Sequence, residues 1–197
     1  MKRLVFASNN AHKLEEVRRI LAPLPVLSLH DVGFSAEIEE NGSTLAENSL
    51  IKAQAVADWL SANDTLADTY VFADDTGLEI EALGGAPGVH TARWAGEPAC
   101  DANNRKKALA ELAGKTNRNA RFCTVITLIE GIRTAYRQVE GEVKGIITTE
   151  ERGTSGFGYD ALFMPEGYDK TFGELPAEIK NGISHRARAL EKLKELL

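Results

Sequence analysis

The stretch that decides the fold is LVFASNNAHKLEEVRRIL, residues 4–21. It opens with a short apolar run, residues 4–7, which predicts a β-strand. The polar residues Ser8, Asn9 and Asn10 then predict a turn. Apolar residues follow at helical spacing on one face, at Leu14, Val17, Ile20 and Leu21. A strand that leads directly into a helix is typical of α/β folds, in which such units pack around one sheet.

Strands and helices are interleaved along the rest of the chain. Thr44 and Glu47 have the spacing of a capping box, which predicts a helix over residues 45–60. Further strands are predicted at residues 70–73, 78–83, 122–129, 134–139, 143–147 and 162–164. A further helix is predicted at residues 101–113. The last helix is predicted to be capped by Ser184 and to bury a stripe formed by Ala187, Leu190, Leu193 and Leu197. Residues 74–77 are expected to form a turn. The link between strands 122–129 and 134–139 is too short for a crossover helix, so the sheet is predicted to be mixed.

Composition excludes several classes of protein. The chain has 197 residues, 43% hydrophobic and 26% charged, which is enough to bury a core and argues against disorder. Its net charge of −6 argues against binding a nucleic acid polymer. Its two cysteines suit a reducing compartment. The longest apolar run, residues 122–129, is too short to cross a membrane, and the N-terminus is not expected to be a signal peptide. We expect a single domain over residues 1–197 in the cytoplasm.

The turn after the first strand is a candidate phosphate site. Free N–H groups at a helix N-terminus attract anions, and Ser8, Asn9, Asn10 and Lys13 add further donors there. The simpler interpretation is that Asn9 or Asn10 only caps the helix. Lys52, a lone cation within helix 45–60, is a further candidate for a phosphate contact, or it extends along apolar surface to reach water.

Adjacent carboxylates are the candidate catalytic feature. Asp74 and Asp75 follow an apolar strand, where they repel each other unless a cation is present. A divalent ion such as Mg²⁺ would supply that charge. Because neighbouring residues of a strand point to opposite faces, we expect one of the two to face the site fully and the other to support it. The alternative is a turn in which these carboxylates cap backbone N–H groups.

Two further segments could recognise a ligand. Phe157 lies between glycines in the segment Gly153–Asp160, where its ring could stack on a base or pack in the core. Lys180, His185 and Arg186 provide donors around the start of the last helix, although such residues are usually surface groups.

These motifs together resemble the inosine/xanthosine triphosphate pyrophosphatase family. The resemblance rests on residues 7–16, 40–44, 47–48, 52–53, 73–78, 83–88, 92–93, 156–160 and 184–186, which are in register over nearly the whole chain. It implies hydrolysis of non-standard purine nucleoside triphosphates such as ITP, dITP and XTP to the monophosphate and pyrophosphate. It also implies Mg²⁺, a mixed α/β fold of two lobes with the active-site cleft between them, and a homodimer.

The resemblance also implies roles for individual residues. Asp75 would be the catalytic base, and Glu40, Asp74 and Asp75 would surround the metal. The substrate would be bound by Ser8, Asn9, Asn10, Lys13, Lys52, Thr76, Phe157, Gly158, Tyr159, Asp160, Lys180, His185 and Arg186. We hypothesise that the donors Lys180, His185 and Arg186 select purines with an oxygen at position 6, because the amino group of adenine would leave them unpaired. Two alternatives remain open, a pyrophosphatase for other nucleotides and a nucleotide sensor without catalysis.

Overall fold

The strands form one seven-stranded sheet. A computed structural model describes residues 3–63, 69–131 and 135–197. Its strands are β1 (Arg3–Phe6), β2 (Val26–Leu27), β3 (Thr69–Ile80), β4 (Pro87–Gly88), β5 (Asn119–Glu130), β6 (Tyr136–Ile147) and β7 (Phe163–Pro165). Their order is β2-β1-β3-β5-β6-β7, with β4 paired to β3. Because β1 is parallel to β2 and β3, whereas β4 and β7 pair antiparallel to β3 and β6, the predicted mixed sheet is confirmed.

Five α-helices accompany the sheet in the described ranges. They are α1 (Ala11–Leu21), α2 (Leu45–Ala62), α3 (Asp101–Glu111), α4 (Ala177–Ile183) and α5 (His185–Lys194). Within the described ranges, no helix combines the length and the hydropathy needed to cross a membrane.

The chain divides into two compact units, each built from separate segments. Unit 1 takes the described residues within 1–75, 124–141 and 186–197, and unit 2 takes those within 76–123 and 142–185. The boundary therefore falls within the long strands β3, β5 and β6. It also separates two neighbours at the start of α5, His185 and Arg186.

Alternation along β3 sorts the core of unit 1 into two apolar clusters. Val71 and Ala73 pack with the buried face of α2, whereas Phe72 packs with apolar residues of α1 and α5. Since successive side chains of a strand point to opposite faces, Asp74 continues the side of Phe72 and Asp75 continues the side of α2. The two carboxylates therefore face different helices: Asp74 lies on the side of α1 and α5, and Asp75 lies on the side of α2.

Unit 2 has a core rich in aromatic rings. Phe163 lies between two rings, with its centroid 4.8 Å from that of Phe122 and 5.4 Å from that of Phe172. Ala108 and Leu112, at the C-terminal end of α3, are fully buried against the same cluster. This packing anchors α3 to the aromatic core of unit 2.

The expected turn at residues 74–77 is wrong. The structure has a continuous strand from Thr69 to Ile80, and residues 81–83, expected at the end of a strand, form the 3-10 helix Glu81–Leu83 instead. Cations lie beside the adjacent carboxylates Asp74 and Asp75 and reduce their repulsion, so the two residues are accommodated within a continuous strand.

Two other expectations need correction, and one helix was not expected. The strands expected at 134–139 and 143–147 are one strand, β6; Thr134 lies outside the described residues. The last helix ends at Lys194, so Leu197 is 37% exposed rather than part of the buried stripe, whose other three members are buried. Helix α4 was not predicted, because its short sequence contains Gly182 and shows no clear apolar period.

Candidate active site

The turn between β1 and α1 is held by its own side chains. Asn10 caps α1, with its Oδ1 accepting a hydrogen bond of 3.1 Å from the Lys13 N–H. Ser8 Oγ accepts one of 3.2 Å from the Asn10 N–H, and Asn9 is exposed. The capping interpretation is therefore confirmed for Asn10, while the expected phosphate contacts of this turn stay a prediction.

Asp74 is buried between two cations of unit 1. Lys13 Nζ lies 3.0 Å from its Oδ1, and Arg186 Nε and Nη2 each lie 3.0 Å from its Oδ2. Arg186 also donates from Nη1 to Glu16 Oε2 at 2.5 Å. Burial by itself would raise the pKa of Asp74, but the charges of Lys13 and Arg186 outweigh it and hold that pKa well below its usual value. Asp74 is thus held in its anionic form at neutral pH, and both of its oxygens face cations.

Asp75 occupies a different environment on the α2 side of β3. Lys52 Nζ lies 3.5 Å from Asp75 Oδ1 and 2.7 Å from Glu40 Oε2, so one ammonium group lies within reach of both carboxylates. Burial is the largest influence on Asp75 and raises its pKa, with the negative charges of Glu40 and Asp74 adding to the effect. Burial by itself would lower the pKa of Lys52. The negative charges of Asp75, Asp74 and Glu40 outweigh that effect and raise the pKa above its ordinary value.

The loop that carries Glu40 is shaped by the first turn of α2. Glu47 Oε2 accepts hydrogen bonds from the backbone N–H and the hydroxyl of Ser43, each 2.7 Å long. Asn48 Oδ1 accepts one of 2.8 Å from the Gly42 N–H. A Cβ at Gly42 would come within 2.7 Å of that Oδ1, so glycine permits the close approach. The predicted capping box is confirmed, and the first turn of α2 holds residues 42–44, which follow Glu40 closely in the chain.

The glycine-rich loop of unit 2 surrounds the ring of Phe157. Gly156 and Gly158 have φ values of +78° and +60°, and a Cβ at Gly156 would overlap the carboxylate of Asp160. That carboxylate accepts a hydrogen bond of 2.9 Å from the Phe157 N–H. Tyr159 is buried, and its hydroxyl donates to the carbonyl of Thr91 at 3.0 Å. The half-buried Phe157 ring is therefore presented by a loop with fixed backbone.

Lys180 is the buried cation next to that loop. Its Nζ lies 2.6 Å from Asp160 Oδ2 and 5.0 Å from the centre of the Phe157 ring. His185 is buried and stacks on Phe122, with the ring centroids 4.6 Å apart and the planes inclined by 19°. Unit 2 thus combines aromatic faces with one buried ion pair, Lys180 and Asp160.

A comparison with models of known protein families identifies the family of this chain. The model of one family, described as the Ham1 family, matches residues 4–196. The chain belongs to the Ham1 family. A curated relative, the dITP/XTP pyrophosphatase of Bacillus subtilis, is 46% identical and is aligned over 100% of this chain and 98% of its own length. The dITP/XTP pyrophosphatase of Flavobacterium johnsoniae is 44% identical over 99% and 97% of the two chains.

Solved Ham1 structures share the fold. The Ham1 protein of Staphylococcus aureus is 36% identical and superposes with a TM-score of 0.85, over 99% of this chain and 97% of the other. The HAM1 protein of Coxiella burnetii is 37% identical, with a TM-score of 0.83 over 100% and 98% of the two chains.

The site residues predicted for this Ham1 chain fall into two groups. Unit 1 contains Ser8, Asn9, Asn10, Lys13, Glu40, Lys52, Asp74, Asp75 and Arg186. Unit 2 contains Thr76, Phe157, Gly158, Tyr159, Asp160, Lys180 and His185. Arg186 was expected with the donors Lys180 and His185, but it contacts Asp74 and Glu16, because these acids neutralise a guanidinium that is 1% exposed.

Sequence reasoning missed some partners of these residues. Glu16, which holds Arg186, is three positions after Lys13 on α1, a spacing that places both on one helix face and could have revealed it. Asp101 and Arg105 of α3 contact Gly158, and no local pattern indicated that contact.

Proposed function

We propose that this chain hydrolyses ITP, dITP and XTP to the nucleoside monophosphate and pyrophosphate. The observation that carries the proposal is the pair of unlike carboxylates on β3. Asp75 has a raised pKa and lies near Lys52, whereas Asp74 is a fixed anion between Lys13 and Arg186. Membership of the Ham1 family and relatives named dITP/XTP pyrophosphatase support this reaction and this substrate class.

Asp75 is the proposed general base. A base is most effective when its pKa lies closer to the working pH, and burial moves the pKa of Asp75 in that direction. Asp75 accepts a proton from water while the water oxygen bonds to the α-phosphorus. The bond from that phosphorus to the bridging oxygen breaks, and pyrophosphate leaves with the electron pair. Asp74 is unsuited to this step because both of its oxygens already accept from cations.

The cations of unit 1 are proposed to bind the triphosphate. Phosphoryl transfer depends on positioning and on neutralising charge more than on covalent help. Lys13 and Lys52 supply positive charge, and the α1 turn at Ser8, Asn9 and Asn10 supplies N–H and side-chain donors. This local arrangement allows a chain of net charge −6 to bind a polyanion.

Glu40 and Asp75 are the proposed ligands of Mg²⁺. Their carboxylates are hard oxygen donors, and both already lie near one cation, the Lys52 ammonium. In the described ranges no three His, Cys, Asp or Glu residues are grouped to hold a metal. Two carboxylates suit Mg²⁺, which usually completes its coordination with water and substrate phosphates. Bound there, it would neutralise phosphate charge and lower the pKa of water. Asp74 was expected beside the metal with these two; because both of its oxygens already contact cations, we propose that it supports the site without coordinating the ion.

Unit 2 is proposed to bind the base. The Phe157 ring offers a stacking face, and Thr76, Gly158, Tyr159 and Asp160 belong to the same proposed subsite. Lys180 and His185 donate to the oxygen at position 6 of the purine, whereas adenine would leave them unpaired. Arg186 acts from unit 1 by holding Asp74.

The test is pyrophosphate release from ITP, XTP, GTP, ATP, TTP and UTP, each with and without Mg²⁺. We expect turnover of ITP and XTP that depends on Mg²⁺ and is much slower for ATP. Turnover of TTP or UTP without turnover of ITP would replace the proposal by a different nucleotide specificity. Tight ITP binding without any product would indicate a nucleotide sensor.

We further propose one pyrophosphatase domain over residues 1–197, a homodimer and a cytoplasmic location. The dimer is supported only by the family resemblance. Sedimentation velocity at micromolar concentration tests it, because a dimer of this chain has twice the mass of 21.4 kDa. Fractionation of the native cells tests the location.

A further inference from the structure

Helix α3 holds both backbone polar groups of one residue in the glycine-rich loop, Gly158. The Gly158 N–H donates to Asp101 Oδ2 at 2.7 Å, and Arg105 Nη1 donates to the Gly158 carbonyl at 2.8 Å. Asp101 and Arg105 are four residues apart, which places both on one face of the helix. Each bond has one charged partner, and such bonds are roughly twice as strong as neutral ones.

The same loop is held at neighbouring points. Asp160 accepts from the Phe157 N–H and from Lys180. The Tyr159 hydroxyl donates to Thr91, as described above. The backbone on both sides of the Phe157 ring is therefore fixed, and the α3 contacts are the ones that hold Gly158.

Arg105 also forms an ion pair with an acid. Its Nε lies 3.0 Å from Glu151 Oε2, which leaves Nη1 to donate to Gly158. Asp101 is exposed at the first turn of α3, where an acidic residue ordinarily stabilises a helix through its dipole. That ordinary role does not require the carboxylate to contact Gly158, which lies 57 positions away in sequence.

We infer that Asp101 and Arg105 are positioning residues of the purine subsite. They act through the backbone N–H and carbonyl of Gly158 and hold the Phe157 ring at the place where the base stacks. Loss of either contact lets the loop adopt other conformations, and the base must then pay the cost of ordering it. This inference rests on the proposed function of unit 2, and it predicts weaker binding of the base with unchanged binding of phosphates.

The experiment compares Asp101→Ala and Arg105→Met with wild type. Calorimetry measures the Kd of inosine monophosphate and, separately, of inorganic pyrophosphate with Mg²⁺. We expect the Kd of inosine monophosphate to rise about tenfold, as for loss of one charge-assisted hydrogen bond, and that of pyrophosphate to change less than about twofold. In steady-state kinetics with ITP, KM should rise more than kcat falls.

Two variants serve as controls. Asp101→Asn keeps an oxygen that accepts from the Gly158 N–H, so it should bind inosine monophosphate nearly as well as wild type. Lys106→Ala changes an exposed residue of the same helix and should leave both dissociation constants unchanged. If Asp101→Ala or Arg105→Met fails to fold, which circular dichroism would show, Arg105→Lys allows the measurement, because it keeps the charge but loses the guanidinium group that donates to the Gly158 carbonyl.

The outcomes separate this inference from the proposed function. Equal Kd values for inosine monophosphate in Asp101→Ala and wild type overturn the positioning role, whatever the activity. A parallel loss of pyrophosphate affinity also overturns it, because that indicates general damage. A wild type that binds inosine monophosphate but releases no pyrophosphate from ITP contradicts the proposed function alone.

Discussion

The two groups of site residues solve different physical problems. In unit 1, Lys13, Lys52 and Arg186 alternate with carboxylates over short distances, and the chemistry lies in the balance of charge. In unit 2, one ion pair lies among aromatic rings, and the chemistry lies in shape and in a few donors. The comparison teaches that a triphosphate requires neutralised charge, whereas a base requires a flat face and correctly placed hydrogen bonds. Substitutions in unit 1 should therefore affect all nucleotides alike, and those in unit 2 should change the choice among them.

The largest effect is expected from Asp75→Asn in unit 1. An amide cannot accept the proton of the attacking water, so kcat should fall by about 10²–10⁴-fold for every nucleotide. Stopped-time assays of pyrophosphate release measure this, and calorimetry should show that ITP still binds. Asp58→Asn, on the exposed side of α2, is the matched control and should retain wild-type turnover. Full activity of Asp75→Asn would remove the catalytic assignment.

Asp74→Asn should weaken folding as well as activity. It leaves the buried Arg186 and Lys13 without their shared anion, which typically costs about 3–5 kcal/mol in the free energy of unfolding. Urea denaturation at pH 7 measures the change, with Asp58→Asn again as the control. A cost below about 1 kcal/mol, the range of surface pairs, would show that the cluster is solvated in solution.

The pH dependence of unfolding tests the same carboxylate. The pKa of Asp74 lies below its ordinary value of 3.8 in the folded chain. Its stabilisation is therefore fully present above that value and is lost as the pH falls through the lower, folded pKa. The difference between wild type and Asp74→Asn should be constant from neutral pH to about pH 5 and should shrink below about pH 4. A difference that stays constant at acidic pH would contradict the low pKa.

Selectivity should change most with Lys180→Met in unit 2. Loss of a buried donor to the 6-oxo group is expected to reduce the ratio of kcat/KM for ITP over ATP by about 10–100-fold. Lys13→Met in unit 1 should lower kcat/KM for both nucleotides and leave their ratio unchanged. His185→Ala should also lower the ratio if its ring nitrogens reach the base. If Lys13→Met changes the ratio as much as Lys180→Met, the proposed binding of the phosphates by unit 1 and of the base by unit 2 is wrong.

The smallest effect concerns the cap of α1. Asn10→Ala removes the acceptor for the Lys13 N–H and should cost about 1 kcal/mol of unfolding free energy. Asn10→Ser should restore most of that stability. A KM for ITP that rises in Asn10→Ala but also in Asn10→Ser would indicate that the amide contacts phosphate in addition to capping the helix.

Local signals predicted much of the fold. The strand and helix at residues 4–21 and the capping box at Thr44 are present because each depends on neighbours in sequence. The same reasoning failed at Asp74 and Asp75, since the cations beside these carboxylates come from three different helices. It also did not find the partners of Arg186, because Asp74 and Glu16 are 112 and 170 positions away.

The alternation of β3 also constrains how this family of sequences can vary. A single residue inserted or deleted between Phe72 and Asp74 would exchange the faces of every following side chain on the strand. Asp74, which contacts Lys13 and Arg186, would then face Lys52, and Asp75 would face Lys13 and Arg186. Point substitutions can adjust this strand gradually, but a change in its length would exchange the carboxylate between Lys13 and Arg186 with the proposed proton acceptor in one step.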